Sequence, residues 1–139
     1  MKRRFEEIEH TADIAIRVWG RDLAELFANA AYGMACQTAD VDTVGRAIEH
    51  TVELQGYDAE TLLVAWLGEL LYLFDAKRML FRKFDIKEVN KYGLKATVRG
   101  EPFQPERHVL KRGIKAVTYH QVKVEKKGGK WEGRIIFDL

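Results

Sequence analysis

The sequence ends in "RIIFDL", residues 134–139, where apolar strand-forming residues run directly into two acidic groups. Asp138 supplies a side-chain carboxylate, and the main-chain carboxylate of Leu139 follows one residue later. Hard cations such as calcium and magnesium prefer oxygen ligands, so a docked terminal strand could bind one through these groups. The alternative is a simply exposed chain end, since terminal residues are usually polar and poorly ordered.

A second stretch that is neither plain core nor plain surface is "EHTADIA", residues 9–15. It places His10 and Asp13 close together at a predicted break between two strands. An aspartate at such a break is also a common turn residue, whose side chain caps the local backbone. The stretch alone leaves both interpretations of Asp13 open.

A third stretch is "GIKAVTYHQVKV", residues 113–124, which has the composition of a strand. A period of two predicts one face with Lys115, Val117, Tyr119 and Gln121, and another with Ile114, Ala116, Thr118, His120 and Val122. A lysine on a strand is most often solvated, and a histidine beside apolar neighbours is most often a hydrogen-bonded core residue. Both alternatives compete with a functional role for Lys115 and His120.

Other familiar catalytic chemistry is missing from the sequence. There is no Gly-rich phosphate loop, no nucleophile elbow and no HExxH helix. The lone Cys36 excludes an internal disulfide and a Cys-based zinc site, and it fits a reducing compartment, so we expect a cytoplasmic protein. A ligand cluster without a recognisable nucleophile or base argues against autonomous catalysis.

The length and composition bound the architecture. With 139 residues and 47% hydrophobic content, the chain can bury one core, so we expect a single domain over residues 1–139. The basic start lacks the apolar stretch of a signal peptide, and the strongest apolar run is shorter than the ~20 residues of a membrane span. We therefore expect a soluble protein.

The net charge of +2 hides a split along the chain. Residues 1–76 contain 6 Lys and Arg against 14 Asp and Glu, a net charge of −8, whereas residues 77–139 contain 17 against 7, a net charge of +10. Such asymmetry can mark a surface for a polar partner, or it can cancel where the two halves interleave in the fold.

The elements that must position these residues follow from hydrophobic periodicity. Helical spacing behind Asp22 and Asp58, two N-cap candidates, predicts helices over 21–36 and 58–76. Alternation and turn residues predict strands over 4–9, 13–19, 46–56, 79–90, 93–100, 115–125 and 131–138, with Gly128 and Gly129 in the last turn. This order predicts an α+β fold, with two helices packed on a largely antiparallel sheet.

Five segments taken together resemble the archease family: "HTADIA", "FANAAYGM", "LLVAWLGELLYLFD", "IKAVTYH" and the terminal "FDL". They cover essentially the whole chain in the family's order, and their combination is specific although each alone is weak. The resemblance implies a duplicated strand-helix-strand-strand module, with one copy inserted in the other.

The resemblance also implies an activator, not an enzyme. An archease is a small partner of the RtcB-type RNA ligase, and it speeds attachment of GMP to the ligase's active-site histidine. The ligase then turns over repeatedly as it joins RNA ends carrying a 3′-phosphate or 2′,3′-cyclic phosphate to a 5′-hydroxyl, chiefly tRNA halves from splicing. RNA is expected to meet this protein only through the ligase.

The family's site is a divalent-cation site, with calcium the expected ion. The resemblance assigns it to Asp13, Asp138 and Leu139. Lys115 matches the functional lysine of the family, expected to moderate the acidic charge or to contact a phosphate or carboxylate of the partner. His10 and His120 are candidates for orienting a ligand, with an ordinary structural hydrogen bond as the alternative.

Two classes of function therefore remain open for this protein. The favoured one is a metal-bearing protein cofactor of an RNA ligase. The alternative is a small metal-dependent enzyme acting on a phosphorylated substrate, which the acidic cluster and Lys115 would permit. Turnover by the isolated protein distinguishes the two.

Overall fold

A computed structural model of the chain describes residues 4–9 and 12–139. It contains two long helices, a short 3₁₀ helix over Val41–Thr43 and seven strands. The bounds are β1 Phe5–Glu9, β2 Asp13–Gly20, α1 Leu23–Thr38, β3 Ile48–Gln55, α2 Ala59–Lys77, β4 Met79–Val89, β5 Gly93–Pro102, β6 Ala116–Lys127 and β7 Lys130–Asp138. The predicted α+β class and its two helices are confirmed.

The strands form two antiparallel sheets, not the single sheet that the sequence predicted. One sheet has the order β1-β2-β7-β6, and the other has the order β3-β5-β4. The run β3, α2, β4, β5 is a strand-helix-strand-strand module whose sheet order is first, third, second strand. The elements β2, α1, β6 and β7 repeat that order around it, so one module is inserted in the other.

Both helices contact strands of both sheets, which explains why α2 is apolar on most of its circumference. Helix α1 contacts β2 and β7 of one sheet and β4 of the other, and α2 contacts β6 as well as β3, β4 and β5. Trp66 of α2 is fully buried, and its indole N–H donates to the Phe27 carbonyl oxygen of α1 at 2.9 Å. A buried indole N–H needs such a partner, so this bond fixes how the two helices meet.

The helix starts agree with their predicted caps. The Asp58 carboxylate accepts from the Thr61 N–H at 2.8 Å, and the Asp58 N–H donates to the Thr61 hydroxyl oxygen at 3.1 Å, which completes a capping box. Asp22 likewise accepts from the Glu25 N–H, but the Glu25 carboxylate accepts from the Arg21 N–H one residue before the cap. Local side-chain hydrogen bonds therefore fix the residue at which each of the two helices begins.

The acidic first half and the basic second half interleave in the fold. Strand β3 comes from the acidic half and pairs with β5 from the basic half, which places Glu49 opposite Arg99 and Glu53 opposite Lys95. Arg99 and Glu49 form an ion pair there. Much of the charge split thus cancels between neighbouring strands.

Neither helix in the described part of the chain is both long and apolar enough to cross a membrane.

Candidate functional site

Asp13 and Asp138 lie opposite each other at the paired ends of β2 and β7. The Leu139 N–H donates to the Ala12 carbonyl oxygen at 3.1 Å, so Asp13 and Asp138 form a non-hydrogen-bonded pair. The side chains of such a pair lie on the same face of the sheet and are closer than those of a hydrogen-bonded pair. The fold thus brings together carboxylates from opposite ends of the sequence.

The apolar part of "RIIFDL" anchors this arrangement. Ile135 and Phe137 are fully buried against the helices, and burial of side chains of this size contributes about 1.5–3 kcal/mol each. Strand β7 lies between β2 and β6, and Leu139 itself packs against the main hydrophobic core. The backbone at the end of the strand is therefore docked in the sheet, while Asp138 itself is exposed.

Lys115 lies beside the acidic pair through its backbone. Its N–H donates to the Asp138 carbonyl oxygen at 2.8 Å, and the next residue, Ala116, is opposite Asp138 in the register of β6 and β7. The residue itself is exposed. The structure thus joins Asp13, Asp138, Leu139 and Lys115 at one end of three neighbouring strands, β2, β7 and β6.

The two aspartates belong to the outer face of the four-stranded sheet, opposite the helices. Their inward neighbours Ile14 and Phe137 are fully buried in the core. In the described part of the chain, the buried side-chain polar atoms without a hydrogen-bond partner are Asp13 Oδ1, Thr118 Oγ1 and Arg134 Nε. By strand alternation all three residues share the outer face, and of the three unsatisfied polar groups only Asp13 Oδ1 belongs to the acidic pair itself.

The sequence interpretation missed Thr118 and Arg134 as members of this face. On β6, Ala116 lies opposite Asp138, and Thr118 follows two residues later on the same face. Thr118 lies opposite Ile136 of β7, and Arg134 is two residues before Ile136 on that face. Alternation counted backwards from Asp138 would have placed Arg134 on the same face. The sequence thus carried a signal for Arg134, whereas placing Thr118 on this face required the register of β6 with β7.

The predicted alternation along residues 113–124 holds only over 116–118, because β6 begins at Ala116 and Ile114 before it is buried in the core. Between Thr118 and Lys123 the register with β7 shifts, and Gln121 adopts a left-handed backbone with φ 54°. A bulge of this kind reorients the residues it contains, so Tyr119 and Gln121 do not simply continue the face of Val117. The predicted faces are wrong from Tyr119 onward.

His120 lies in this bulge and is exposed. The expectation that it is a buried core histidine is therefore wrong, because the bulge turns it away from the regular strand faces. Its proposed role in orienting a cation ligand stays a prediction. His10 lies outside the described residues, so the prediction for it also remains open.

The predicted ligands Asp13, Asp138 and the Leu139 carboxylate offer only oxygen atoms, which suit a hard cation, but only two of the three groups are side chains. In the residues that the structure describes, no group of three or more His, Cys, Asp or Glu side chains could hold a metal ion. The predicted set has only two carboxylate side chains, Asp13 and Asp138, with the main-chain carboxylate of Leu139 as the third donor group. The buried and unpaired Asp13 Oδ1 is the kind of atom that a bound cation would satisfy.

The far end of the same face is neutralised by ion pairing. Glu132 pairs with Arg17 across β7 and β2, and its pKa is lowered mainly by that hydrogen bond. Lys127 lies 3.4 Å from the same carboxylate. The outer face therefore carries paired charges at one end and the two facing aspartates at the other.

Cys36, the lone candidate thiol nucleophile, is partly buried on α1. Burial raises the pKa of its thiol, so the neutral form is favoured. A thiol nucleophile requires the opposite shift.

Comparisons with known proteins agree with this fold over its whole length. The profile of the archease protein family matches residues 5–139. The archease of Methanosarcina mazei is 40% identical over 141 residues, with 99% of this chain and 97% of that protein covered. The archease of Pyrococcus furiosus is 38% identical, with 99% of each chain covered.

Two solved structures have the same fold. The solution structure of protein 1598 of Methanobacterium thermoautotrophicum gives a TM-score of 0.85 at 36% identity, covering 97% of this chain and 98% of that one. The crystal structure of an archease of Thermotoga maritima, described as a possible chaperone, gives 0.68 at 24% identity over 100% of both chains and bears on the fold alone. The chain belongs to the archease family.

Proposed function

We propose that the protein is a non-catalytic cofactor of an RtcB-type RNA ligase and acts in tRNA splicing. In this role it promotes guanylylation of the ligase's active-site histidine and so permits multiple turnover. The observation that supports the proposal most directly is the facing pair of Asp13 and Asp138 at the docked chain end, within a chain of the archease family. Two adjacent carboxylates with a buried unpaired oxygen are costly unless they bind something.

In this proposal Asp13, Asp138 and the Leu139 carboxylate hold a divalent cation, with calcium expected. Such a cation would supply positive charge that can attract or polarise a phosphate or carboxylate group of the partner. The chain's own part is to fix the donors. The pairing of β2 with β7 sets the two aspartates, and the bond from the Leu139 N–H to Ala12 holds the last residue beside them.

Lys115 is proposed to contact the ligase or its bound nucleotide. Its backbone bond to Asp138 ties the position of the residue to the acidic pair, while the exposed residue remains available to a partner. An ammonium group can pair with a phosphate or carboxylate at such a place. RNA then meets the protein only through the ligase.

The deciding experiment is single-turnover guanylylation of the cognate ligase with and without this protein. We expect the protein to accelerate nucleotide attachment and the Asp138→Asn variant to lose most of that acceleration. Asp75→Asn, which removes a carboxylate from an exposed position of α2, is the matched control and should act like the parent. Equal rates with and without the protein would end the proposal.

The competing function, a small metal-dependent enzyme, is tested in the same preparation. The isolated protein is incubated with GTP or with RNA ends, calcium or magnesium being supplied. A useful rate of product formation without the ligase, lost in Asp138→Asn, would replace the cofactor role by the enzymatic one.

A further inference from the structure

A basic cleft of about 360 Å³ lies between α1, β4 and the segment that joins α1 to β3. The charged residues that line it are Arg4, Arg46, Arg82, Lys83 and Asp42. Four cations against one carboxylate give a net charge of +3 for the described residues of this lining. It draws on four separate parts of the chain and shares no residue with the acidic pair of the outer sheet face.

The single carboxylate neutralises the basic cleft only weakly. Asp42 Oδ1 lies 3.8 Å from Arg82 Nη2, and 84% of the Asp42 side chain is exposed. Ion pairs this open are screened by water and contribute little. Arg46 and Lys83 are both exposed, so their charges add to the field of the cleft.

Two of the cationic groups, the exposed Arg4 and the half-buried Arg82, contact neighbouring residues that hold them in place. The Arg4 guanidinium lies 4.2 Å from the centroid of the Tyr32 ring, a cation–π distance. Arg82 Nη1 donates to the Val44 carbonyl oxygen at 3.4 Å. Such anchoring reduces the loss of side-chain entropy when an anion binds, because part of the positive charge is already in place.

We propose that the basic cleft binds an oligophosphate group, either free or as the phosphate tail of a nucleotide. A concave surface of one charge sign concentrates the field and favours a compact ligand of the opposite sign. An oligophosphate brings several negative oxygens into one such cleft, and arginine pairs well with phosphate. An extended phosphodiester chain presents its charges singly, so it matches the concave shape less well. The inference goes beyond the proposed activation of a ligase, because it needs neither the cation site nor the partner.

The test uses the full chain and sodium tripolyphosphate as the probe. Binding is followed by calorimetry at low and at physiological salt, and the contact residues are mapped by amide chemical shifts. We expect binding of one tripolyphosphate per chain, weakened by salt, with shifts concentrated in 28–32, 41–46 and 82–84. The double variant Arg46→Glu and Lys83→Glu should lower the affinity by at least about tenfold, since reversed charges repel the ligand.

The matched control is the double variant Lys91→Glu and Lys130→Glu. It changes the net charge by the same amount at two exposed positions outside the cleft. We expect its affinity to stay within about threefold of the parent, because long-range charge effects are screened. An equal loss in both double variants, shifts that map elsewhere, or no binding at millimolar tripolyphosphate would overturn the proposal.

Two further probes identify the source of the oligophosphate. Equal affinity for tripolyphosphate, GTP and ATP would support recognition of the phosphates alone. Tighter binding of either nucleotide, with the same loss in the Arg46→Glu and Lys83→Glu variant, would support a nucleotide whose base contacts the cleft as well. Both readouts are independent of ligase stimulation, so a failure of the ligase proposal would leave this result unchanged.

Discussion

Asp13 and Asp138 face each other across β2 and β7, as a pair of like charges at a position where sheets usually pair opposite charges or apolar groups. Facing like charges oppose the strand pairing that holds them together. The rest of the pairing compensates, because the next pair along the strands, Ile14 with Phe137, is fully buried. The core thus enforces a carboxylate pair that local electrostatics disfavours.

Replacing either Asp13 or Asp138 by asparagine should weaken calcium binding without lowering the folding stability of the calcium-free protein. We predict that Asp13→Asn and Asp138→Asn fold normally without calcium and are equal to the parent or more stable by about 0.2–1 kcal/mol, because a repulsion is removed. Both should lose the rise in melting temperature that calcium gives the parent. Thermal melts and calorimetric titrations with calcium provide the measurement. The cation site is refuted if both variants bind calcium as tightly as the parent.

Extending the chain beyond Leu139 should have the same effect without changing any original side chain. A peptide bond at Leu139 replaces a charged carboxylate by a neutral carbonyl group, which weakens calcium coordination, and the added residues must leave through the site. We predict weaker calcium binding and weaker ligase stimulation for a chain with a short Gly-Ser extension. The same extension before Met1 is the control for added length. Unchanged calcium affinity after the C-terminal extension would remove Leu139 from the ligand set.

Lys115→Ala should abolish most of the ligase stimulation and leave the fold intact. The residue is exposed, and surface substitutions of this kind change stability by about 0.5 kcal/mol or less. Its backbone bond to Asp138 does not depend on the side chain, so the acidic pair should keep its geometry. The measurement is single-turnover guanylylation beside a urea melt, with Lys126→Ala as an exposed-lysine control. Full stimulation by a folded Lys115→Ala protein would show that Lys115 is an ordinary solvated lysine without a role in activation.

The helices and most strands were predictable because their signals are local. Asp22 and Asp58 cap the helices as expected, and the turn at Gly128 and Gly129 has the positive φ angles, 55° and 82°, that glycine permits. Helix α1 continues past Cys36 to Thr38, and a 3₁₀ helix follows in the segment predicted as a loop. Such details depend on tertiary contacts, including the bridge between Ala39 and Leu110.

Asp13 and Asp138 could be singled out from the sequence, whereas most of the residues around them on the sheet could not. The apolar run before Asp138 predicted a docked strand, which the structure confirms. The bulge at 119–122 was not predicted, because a single left-handed Gln121 has no sequence signature and its register depends on β7. The basic cleft was equally hidden, since its cations come from segments that only the fold brings together.

Gly100 should be among the least replaceable residues of the three-stranded sheet. A Cβ atom at this position would lie 1.8 Å from the Leu80 carbonyl oxygen, so the backbone of β4 would have to move. We predict that Gly100→Ala lowers the free energy of unfolding by about 3 kcal/mol, at the upper end for overpacking. Gly68→Ala in α2 is the control, because outside the adjacent backbone of its own helix no atom lies within 4 Å of its added Cβ. That variant should instead gain about 0.5–1 kcal/mol from helix propensity, as measured by urea unfolding.

Stability should fall in acid partly through Glu132. Its pKa is lowered from the ordinary 4.5 mainly by the hydrogen bond to Arg17. A carboxyl group with a lowered folded pKa stabilises the fold above its unfolded pKa, and this contribution is lost as the pH falls through the folded value. We therefore predict that the free energy of unfolding drops more steeply between about pH 5 and pH 3 in the parent than in Glu132→Gln. Urea unfolding at stepped pH gives the measurement, with Glu88→Gln at an exposed position of β4 as the control. Parallel pH profiles for the parent and Glu132→Gln would show that the Arg17–Glu132 pair has no part in acid unfolding.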